Sequence, residues 1–339
     1  MHGRRGRDMI VLYLKDSPDK LKQVLFSLKV PFKSAGNVFV LNMDREKFIS
    51  MVDNFPREIV GKMKIYVAKK DEISKIEDLI EIGFRSVTLE EFVEEYLFQS
   101  LLGILNTGET QFHPIIDTRS RRVYGFEALC RLSIPINKLF KVSDRISYIA
   151  DKFCRERALL EYINRSLSSY HLFLNFHPKF LKNPLENVGE LMTSLMGRSI
   201  EPSKVVVEID EYEGMDIHSI KLIRDFLKAE GVQVALDDVG AGYSGLYHLT
   251  EIHPDIAKLD ISLIRDIHKN QVKQAILSGL VKACRETGVK VLAEGVEKVE
   301  ELKYLMSLEV ELLQGFVFAK PSSHPDVNQI EEIAYNLLT

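Results

Sequence analysis

The stretch Val234–Leu246, VALDDVGAGYSGL, begins as an apolar run, reaches two adjacent carboxylates at Asp237 and Asp238, and then contains two glycines within four residues. The apolar run predicts a buried strand. Neighbouring carboxylates repel each other and resist desolvation, so such a pair at the end of a buried strand requires positive charge nearby. Taken alone, the stretch fits an exposed turn equally well, because aspartate before glycine is ordinary turn chemistry.

Short apolar runs alternate with helical spacing over the last 230 or so residues of the chain. Eight runs predict strands: FHPIID, VYGFEAL, HLFLNF, KVVVEI, VQVALD, IAKLD, VKVLAE and LLQGFVF. Strand and helix alternating about eight times is typical of a (β/α)8 TIM-like barrel. Only a few residues around TRSRR separate the first two runs, and a parallel crossover needs a dozen or more. We therefore predict an α/β fold, a modified barrel with its first strand antiparallel to the second.

Residues 9–69 have a different order of predicted elements. They show a β-α-β-β-α-β order, which matches a small α+β, ferredoxin-like sandwich. The run TLEE at Thr88–Glu91 is a capping box that opens a helical stripe. We predict a regulatory or oligomerising domain over 1–86, a linker helix over 87–108 and the barrel over 109–339.

Composition excludes several classes of protein. The 339 residues are 45% hydrophobic with a formal net charge of −4, which fits a globular chain and does not suggest a nucleic-acid surface. No stretch approaches the ~18 apolar residues of a membrane span, and we expect no membrane association. The three cysteines, Cys130, Cys154 and Cys284, lack metal-ligand spacing and are predicted to be reduced thiols in a cytoplasmic protein.

Nearly every predicted barrel strand ends on an oxygen-bearing side chain. Parallel strands present their carboxyl ends at one mouth of a barrel, where barrel enzymes carry their chemistry. The side chains at these ends are Glu127, Asn175, Glu208, Asp237, Asp238, Lys258, Glu294, Glu297 and Gln314. Carboxylate and amide oxygens without His or Cys are ligands for hard divalent cations, so we predict two Mg²⁺ or Mn²⁺ ions, as used in phosphoester displacement.

These residues lie in motifs that resemble the EAL-domain cyclic di-GMP phosphodiesterases. The family's name-giving triplet is Glu127-Ala128-Leu129, and Arg131 completes its EALxR pattern. Further matches over residues 110–322 are LNFHP, VEIDE, DDVGAGYSGL, KLD, AEGVE and QGFVFAKP. The resemblance implies hydrolysis of cyclic di-GMP to linear pGpG, with the first domain in control.

The resemblance also implies roles for single residues. Glu127, Asn175 and Glu208 would hold the first metal, Asp237 would bridge both metals, and Asp238 would bind the second. Glu294 would act as ligand or general base on the attacking water, which Lys258, Glu297 and Gln314 would orient. Arg131, with Gln314, would contact the substrate, and Glu211 would brace the loop Val239–Leu246.

The loop departs from the family's usual DDFGTGYSSL at three positions, Val239, Ala241 and Gly245, which leaves rate and regulation open. His177 is expected to be a packing or turn residue. A catalytically idle receptor for the dinucleotide is the alternative function, and a barrel enzyme acting on another phosphoester is a third. The residues do not tell what the first domain senses, and a homodimer is one expected assembly.

Overall fold

The computed structural model describes residues 9–52, 54–69, 82, 85–139, 144–176, 184–209, 217–240 and 245–339. The chain divides into two compact units, one up to Gly103 and one from Ile104 onward. The dividing point lies inside the helix Leu89–Thr107, which is the segment that the capping box opens.

The first unit is built on one antiparallel sheet. Its strands are β1 (Met9–Leu14), β2 (Phe32–Ala35), β3 (Val38–Leu41), β4 (Met63–Ala68) and β5 (Val87–Thr88), in the spatial order β2-β3-β1-β4-β5. Its helices are α1 (Pro18–Ser27), α2 (Arg45–Val52) and α3 (Arg57–Val60). Leu21 and Leu25 of α1 and Phe48 of α2 share one buried cluster with Ile10 and Leu12 of β1. Elements follow one another in the predicted order, and the ferredoxin-like class stays a prediction.

The second unit is a closed barrel of eight strands. They are β6 (Glu109–Asp117), β7 (Arg122–Arg131), β8 (His171–Phe176), β9 (Val205–Ile209), β10 (Gln233–Val239), β11 (Ile256–Leu259), β12 (Lys290–Ala293) and β13 (Leu312–Gln314). Strand β6 pairs antiparallel with both β7 and β13, and all other neighbours are parallel. The barrel and its antiparallel first strand are therefore confirmed.

Helices of the second unit connect the strands. They are α4 (Leu89–Thr107), which spans the boundary, α5 (Ile136–Leu139), α6 (Asp144–Asn164), α7 (Pro184–Gly197), α8 (Ile217–Ala229), α9 (Gly245–Ile252), α10 (Ile261–Ile264), α11 (Gln271–Glu286), α12 (Val299–Ser307) and α13 (Val327–Leu338), with 3₁₀ turns at Pro202–Lys204 and Ile267–Lys269. Among the described helices, none has the length and apolar character needed to cross a membrane.

Alternation of side chains along the strands divides the barrel into two apolar layers. Outward side chains pack under the helices, as Val234 and Leu236 of β10 do. Inward side chains form a separate cluster at the centre of the barrel, here named the barrel floor: Ile115, Phe173, Val206, Ala235, Ile256, Leu292 and Leu312. Seven of the eight strands each contribute one floor residue, and Tyr124 of β7 packs against them.

The prediction that all three cysteines are reduced thiols is wrong for two of them. Cys130 of β7 and Cys154 of α6 form a disulfide, with their Cα atoms 5.6 Å apart. They are 24 residues apart in sequence, and only the packing of α6 against the barrel brings them together. Cys284 is free and buried on α11, and burial raises the pKa of its thiol to about 11.

Gly125 of β7 tests the close packing of the barrel wall. A Cβ atom at this position would lie 2.5 Å from the His171 carbonyl oxygen of the neighbouring strand. We expect Gly125→Ala to lower the free energy of unfolding by about 1 to 3 kcal/mol, because backbone must shift to admit the methyl group. Gly189 on α7 has open space around it, so Gly189→Ala should raise that free energy by up to about 1 kcal/mol. Urea unfolding of both variants gives the comparison, and equal stabilities would contradict the packing.

Candidate active site

A ring of polar side chains lies one layer above the barrel floor. On each parallel strand with a floor residue, the side chain two positions further along the chain faces the same way, because strand alternation has a period of two. Phe173 is thus followed by Asn175, Val206 by Glu208, Ala235 by Asp237, Ile256 by Lys258, Leu292 by Glu294 and Leu312 by Gln314. Six of the predicted site residues therefore share one level of the barrel.

A β-bulge accommodates the aspartate pair. In a regular strand Asp237 and Asp238 would face opposite sides, and one of them would lie under the helices. Here the pairing of β10 with β11 passes from Leu236–Ala257 to Val239–Leu259, so two aspartates oppose the single residue Lys258. Asp238 has a φ of +54°, is exposed and is the extra residue, while Val239 returns to the buried outer layer. The bulge therefore keeps both carboxylates out of the apolar layer between strands and helices.

Lys258 is the positive partner that the aspartate pair requires. Its ammonium is 1% exposed and lies 2.6 Å from Glu208 Oε1, 2.8 Å from Glu294 Oε1 and 3.0 Å from Asp237 Oδ1. Glu127 Oε1 lies farther away, at 3.9 Å. One ammonium thus faces four carboxylates in a buried site, which leaves an excess of negative charge.

The pKa shifts follow from burial and this crowding. Burial raises the pKa of Glu208 well above its usual value, and the neighbouring carboxylates add to the effect against the attraction of Lys258. Burial likewise raises the pKa of Glu294 to about 8, with Asp237 and Glu127 as further causes. Burial opposes the charge on Lys258, but the four carboxylates together hold its pKa well above the usual value.

Glu127 differs from its two neighbours because polar groups solvate it. Burial favours its neutral form, yet Lys258 and hydrogen bonds from Gln314 and Asn175 bring its pKa below the usual value. The Gln314 amide donates to Glu127 Oε2 at 2.9 Å. Glu127, Asn175 and Gln314 are therefore brought together at one side of the ring.

Arg131 and Glu297 are predicted site residues whose side chains lie away from Lys258. Arg131 is exposed at the end of β7, and its Nε donates to Gln111 Oε1 at 3.2 Å. The Glu297 side chain is also exposed, and its Oε1 lies 3.8 Å from Arg265. Glu211, His177 and residues 241–244 of the altered loop lie outside the described residues.

His113 on β6 lies beside the ring and was not among the residues predicted from the sequence. It pairs directly with Glu127 across the two antiparallel strands and is buried, and its Nε2 atom has no hydrogen-bond partner within the described part of the chain. Burial lowers the pKa of its imidazole. Because β6 runs antiparallel, its early residues lie at the mouth, and a search of strand carboxyl ends passes over them. The two-residue spacing from Ile115 back to His113 is the signal that could have identified it.

Divalent cations fit the donor set of the ring. The candidate ligands are hard carboxylate and amide oxygens, which Mg²⁺ and Mn²⁺ prefer. Oε1 of Glu208 and Oε1 of Glu294 form ion pairs with the Lys258 ammonium at 2.6 Å and 2.8 Å. Oε2 of Glu208 is buried and accepts no hydrogen bond from the residues that the structure describes. A buried carboxylate oxygen without a hydrogen bond, and four carboxylates around one ammonium, are what a bound cation would compensate.

The fold and the ring define a class of β/α barrels with a carboxylate-rich mouth. The family model described as EAL domain matches residues 99–321. The chain belongs to the EAL domain family.

Three comparisons illustrate the relationship. The blue light- and temperature-regulated antirepressor BluF of Escherichia coli is 32% identical over 229 residues, which are 66% of this chain and 56% of BluF. A standalone EAL protein of Vibrio cholerae, solved with c-di-GMP bound, is 32% identical with a TM-score of 0.60, and the match covers 63% of this chain and 92% of that one. Klebsiella pneumoniae BlrP1, solved as a manganese/cy-diGMP complex, is 25% identical with a TM-score of 0.59 over 93% and 96% of the two chains.

Other curated relatives are named cyclic di-GMP phosphodiesterases. The chain spans about half the length of the first curated relatives that it matches. The match to BlrP1 extends over nearly the whole chain, so it includes residues of the first unit.

Glu208 tests the electrostatics of the ring. We expect Glu208→Gln to raise the free energy of unfolding of the metal-free protein at pH 8 by about 1 to 4 kcal/mol, because a buried charge is replaced by a neutral side chain. The folded-state pKa of Glu208 is raised, so the parent loses stability as pH rises above about 4.5, and the advantage of the variant disappears below that pH.

Urea unfolding in EDTA from pH 4 to pH 8 measures this difference. Exposed Glu332→Gln is the matched control and should change the free energy of unfolding by less than about 0.5 kcal/mol. A Glu208→Gln variant less stable than the parent at pH 8 would mean that attraction to Lys258 outweighs the burial of the carboxylate.

Proposed function

We propose that this protein is a metal-dependent phosphodiesterase that hydrolyses cyclic di-GMP to linear pGpG. The observation that carries the proposal is the set of four carboxylates around the buried Lys258 ammonium, where Oε2 of Glu208 accepts no hydrogen bond from the described residues. Membership of the EAL domain family and relatives named for this activity support the substrate.

Each residue of the ring has a role in this proposal. Glu127, Asn175 and Glu208 would hold one divalent cation, Asp237 would bridge to another, and Asp238 would bind that one. Two Mg²⁺ or Mn²⁺ ions, when bound, supply Lewis-acid stabilisation of the phosphate and a more acidic water. The manganese complex of BlrP1 supports the choice of cation.

Glu294 would accept the proton of the attacking water. A carboxylate with a raised pKa is a stronger base once ionised, and Glu294 lies at the same level as the candidate ligands. Lys258 would hold Glu294 and Asp237 in place and orient the attacking water with Gln314. Glu297 would extend this water-orienting set, and Glu211 would brace the loop that follows Asp238.

Arg131 would bind the substrate phosphate. It is an exposed guanidinium at the end of β7, and its planar donors match a phosphate oxygen pair. It shares its strand face with Glu127, four residues earlier. A phosphate held by Arg131 would therefore lie above the carboxylate ring.

Glu294→Gln distinguishes hydrolysis from binding. We expect this variant to bind cyclic di-GMP within about tenfold of the parent, about 1.4 kcal/mol, because the substrate docks before the water is activated. Turnover with Mn²⁺ should fall by about 100-fold or more, because the variant lacks the base. Arg131→Ala should weaken both binding and turnover, since it contacts the phosphate throughout.

Calorimetry with Ca²⁺ measures binding, since Ca²⁺ should occupy the site with little turnover. Chromatography of the nucleotides measures hydrolysis. Exposed Glu300→Gln, six residues further along the chain, is the control and should behave as the parent. Parent-like turnover in Glu294→Gln would refute the assigned base.

A receptor without catalysis is a second candidate, favoured by the similarity to an antirepressor. In that case Lys258 would remain the cation that neutralises the ring. A parent protein that binds cyclic di-GMP and yields no pGpG with Mg²⁺ or Mn²⁺ would establish this candidate.

The first unit is proposed to regulate the barrel, as a ferredoxin-like domain joined through α4. A fragment of residues 104–339 should fold, because the barrel sheet closes entirely within it. We expect its turnover or oligomeric state to differ from those of the full chain. Circular dichroism establishes folding first, and then chromatography and light scattering compare the two. Identical kinetics and assembly would refute regulation by the first unit.

A further inference from the structure

Glu301 of α12 is a buried carboxylate that the proposed mechanism does not use. It is 1% exposed, and its two oxygens accept three backbone N–H groups. Oε2 accepts from Glu297 at 3.2 Å and from Lys298 at 3.1 Å, which caps the start of α12. Oε1 accepts from Asp266 at 2.9 Å, and Asp266 belongs to a different loop.

Glu301 joins the loop after β11, the strand that carries Lys258, to the loop after β12, which carries the proposed base Glu294. The loop after β11 begins at Asp260, two residues beyond Lys258, and the loop after β12 begins with Glu294. Glu294 N–H donates to the Leu259 carbonyl at 3.1 Å, so the β12 loop starts beside the last residue of β11.

Further contacts hold the same pair of loops together. Gly295 has a φ of +65°, and a Cβ atom there would lie 2.4 Å from the Ile261 side chain. Lys298 Nζ lies 2.7 Å from Asp266 Oδ1. These contacts are exposed or apolar, whereas Glu301 supplies a buried charge-assisted bond between the loops.

A cation site at this place is not supported. Among the described residues, one group of three or more His, Cys, Asp or Glu side chains has its ligand atoms within 4.8 Å of one another: Asp266, His268 and Glu301. The ammonium of Lys298 already meets Asp266, and both oxygens of Glu301 already accept backbone donors. The arrangement fits a structural bridge.

We infer that Glu301 is a positioning residue: its bond to the Asp266 N–H fixes the β12 loop against the β11 loop and thereby holds Glu294 beside Lys258. The inference rests on the proposed function for its effect on catalysis. Since Glu301 contacts neither Lys258 nor Glu294 directly, its loss should reduce the rate of the chemical step more than the affinity for substrate.

Glu301→Gln separates the bridge from the helix cap. One amide oxygen can still accept from Glu297 and Lys298, but the amide NH₂ would then face the Asp266 N–H, and two donors cannot bond. We expect amide exchange at Asp266 to speed up by about tenfold or more, with exchange at Glu297 and Lys298 within about twofold of the parent. The kcat for cyclic di-GMP should fall by about fivefold or more, with KM within about twofold.

Asp326→Ala is the matched control, because it removes a side-chain cap from α13 that contacts neither loop. It should lower the melting temperature without changing kcat. Equal loss of kcat in both variants, or a change confined to KM, would overturn the inference. If the parent leaves cyclic di-GMP intact, the proposed function fails, and unchanged Asp266 exchange in Glu301→Gln would then overturn the bridge independently.

Discussion

The buried ammonium of Lys258 is the interaction on which the candidate site depends. Four carboxylates from β7, β9, β10 and the β12 loop point at one level of the barrel, and without a cation their mutual repulsion would oppose closure of the sheet. Loss of Lys258 would leave these buried carboxylates without their cation, and such an uncompensated buried charge costs about 3 to 5 kcal/mol. Lys258 compensates part of that charge, and the remainder is what a bound divalent cation would compensate.

Stability and function are in opposition at this ring. Burial raises the pKa of both Glu208 and Glu294, so their ionised forms destabilise the metal-free fold. The same ionised forms are those that would hold a cation or accept a proton. A ring optimised for the stability of the metal-free barrel would contain fewer charges. Lower stability at a site that serves function is typical of proteins.

Much of the fold was predictable because the decisive signals are local. Short continuous apolar runs separated by helical spacing predict the strands, and the brief TRSRR connection predicts the antiparallel β6. Residues at parallel strand ends identify seven members of the ring, Glu127 included, since the carboxyl ends of such strands must meet at one mouth. His113 was missed because it lies on the one strand that runs the other way, and the disulfide was missed because its cysteines meet through the packing of a helix on the barrel.

The sequence by itself determined the residue pattern of the parallel strands, in which a polar side chain lies two positions beyond each apolar floor residue, as Glu208 follows Val206. Tertiary structure decided which of these side chains make contact, because distances between strands depend on barrel closure and register. It decided that the aspartate pair sits in a bulge opposite Lys258, and that Glu297 pairs with Arg265 outside the ring. Local patterns specify the direction in which a side chain points, whereas charge compensation between residues distant in sequence arises only when the sheet closes.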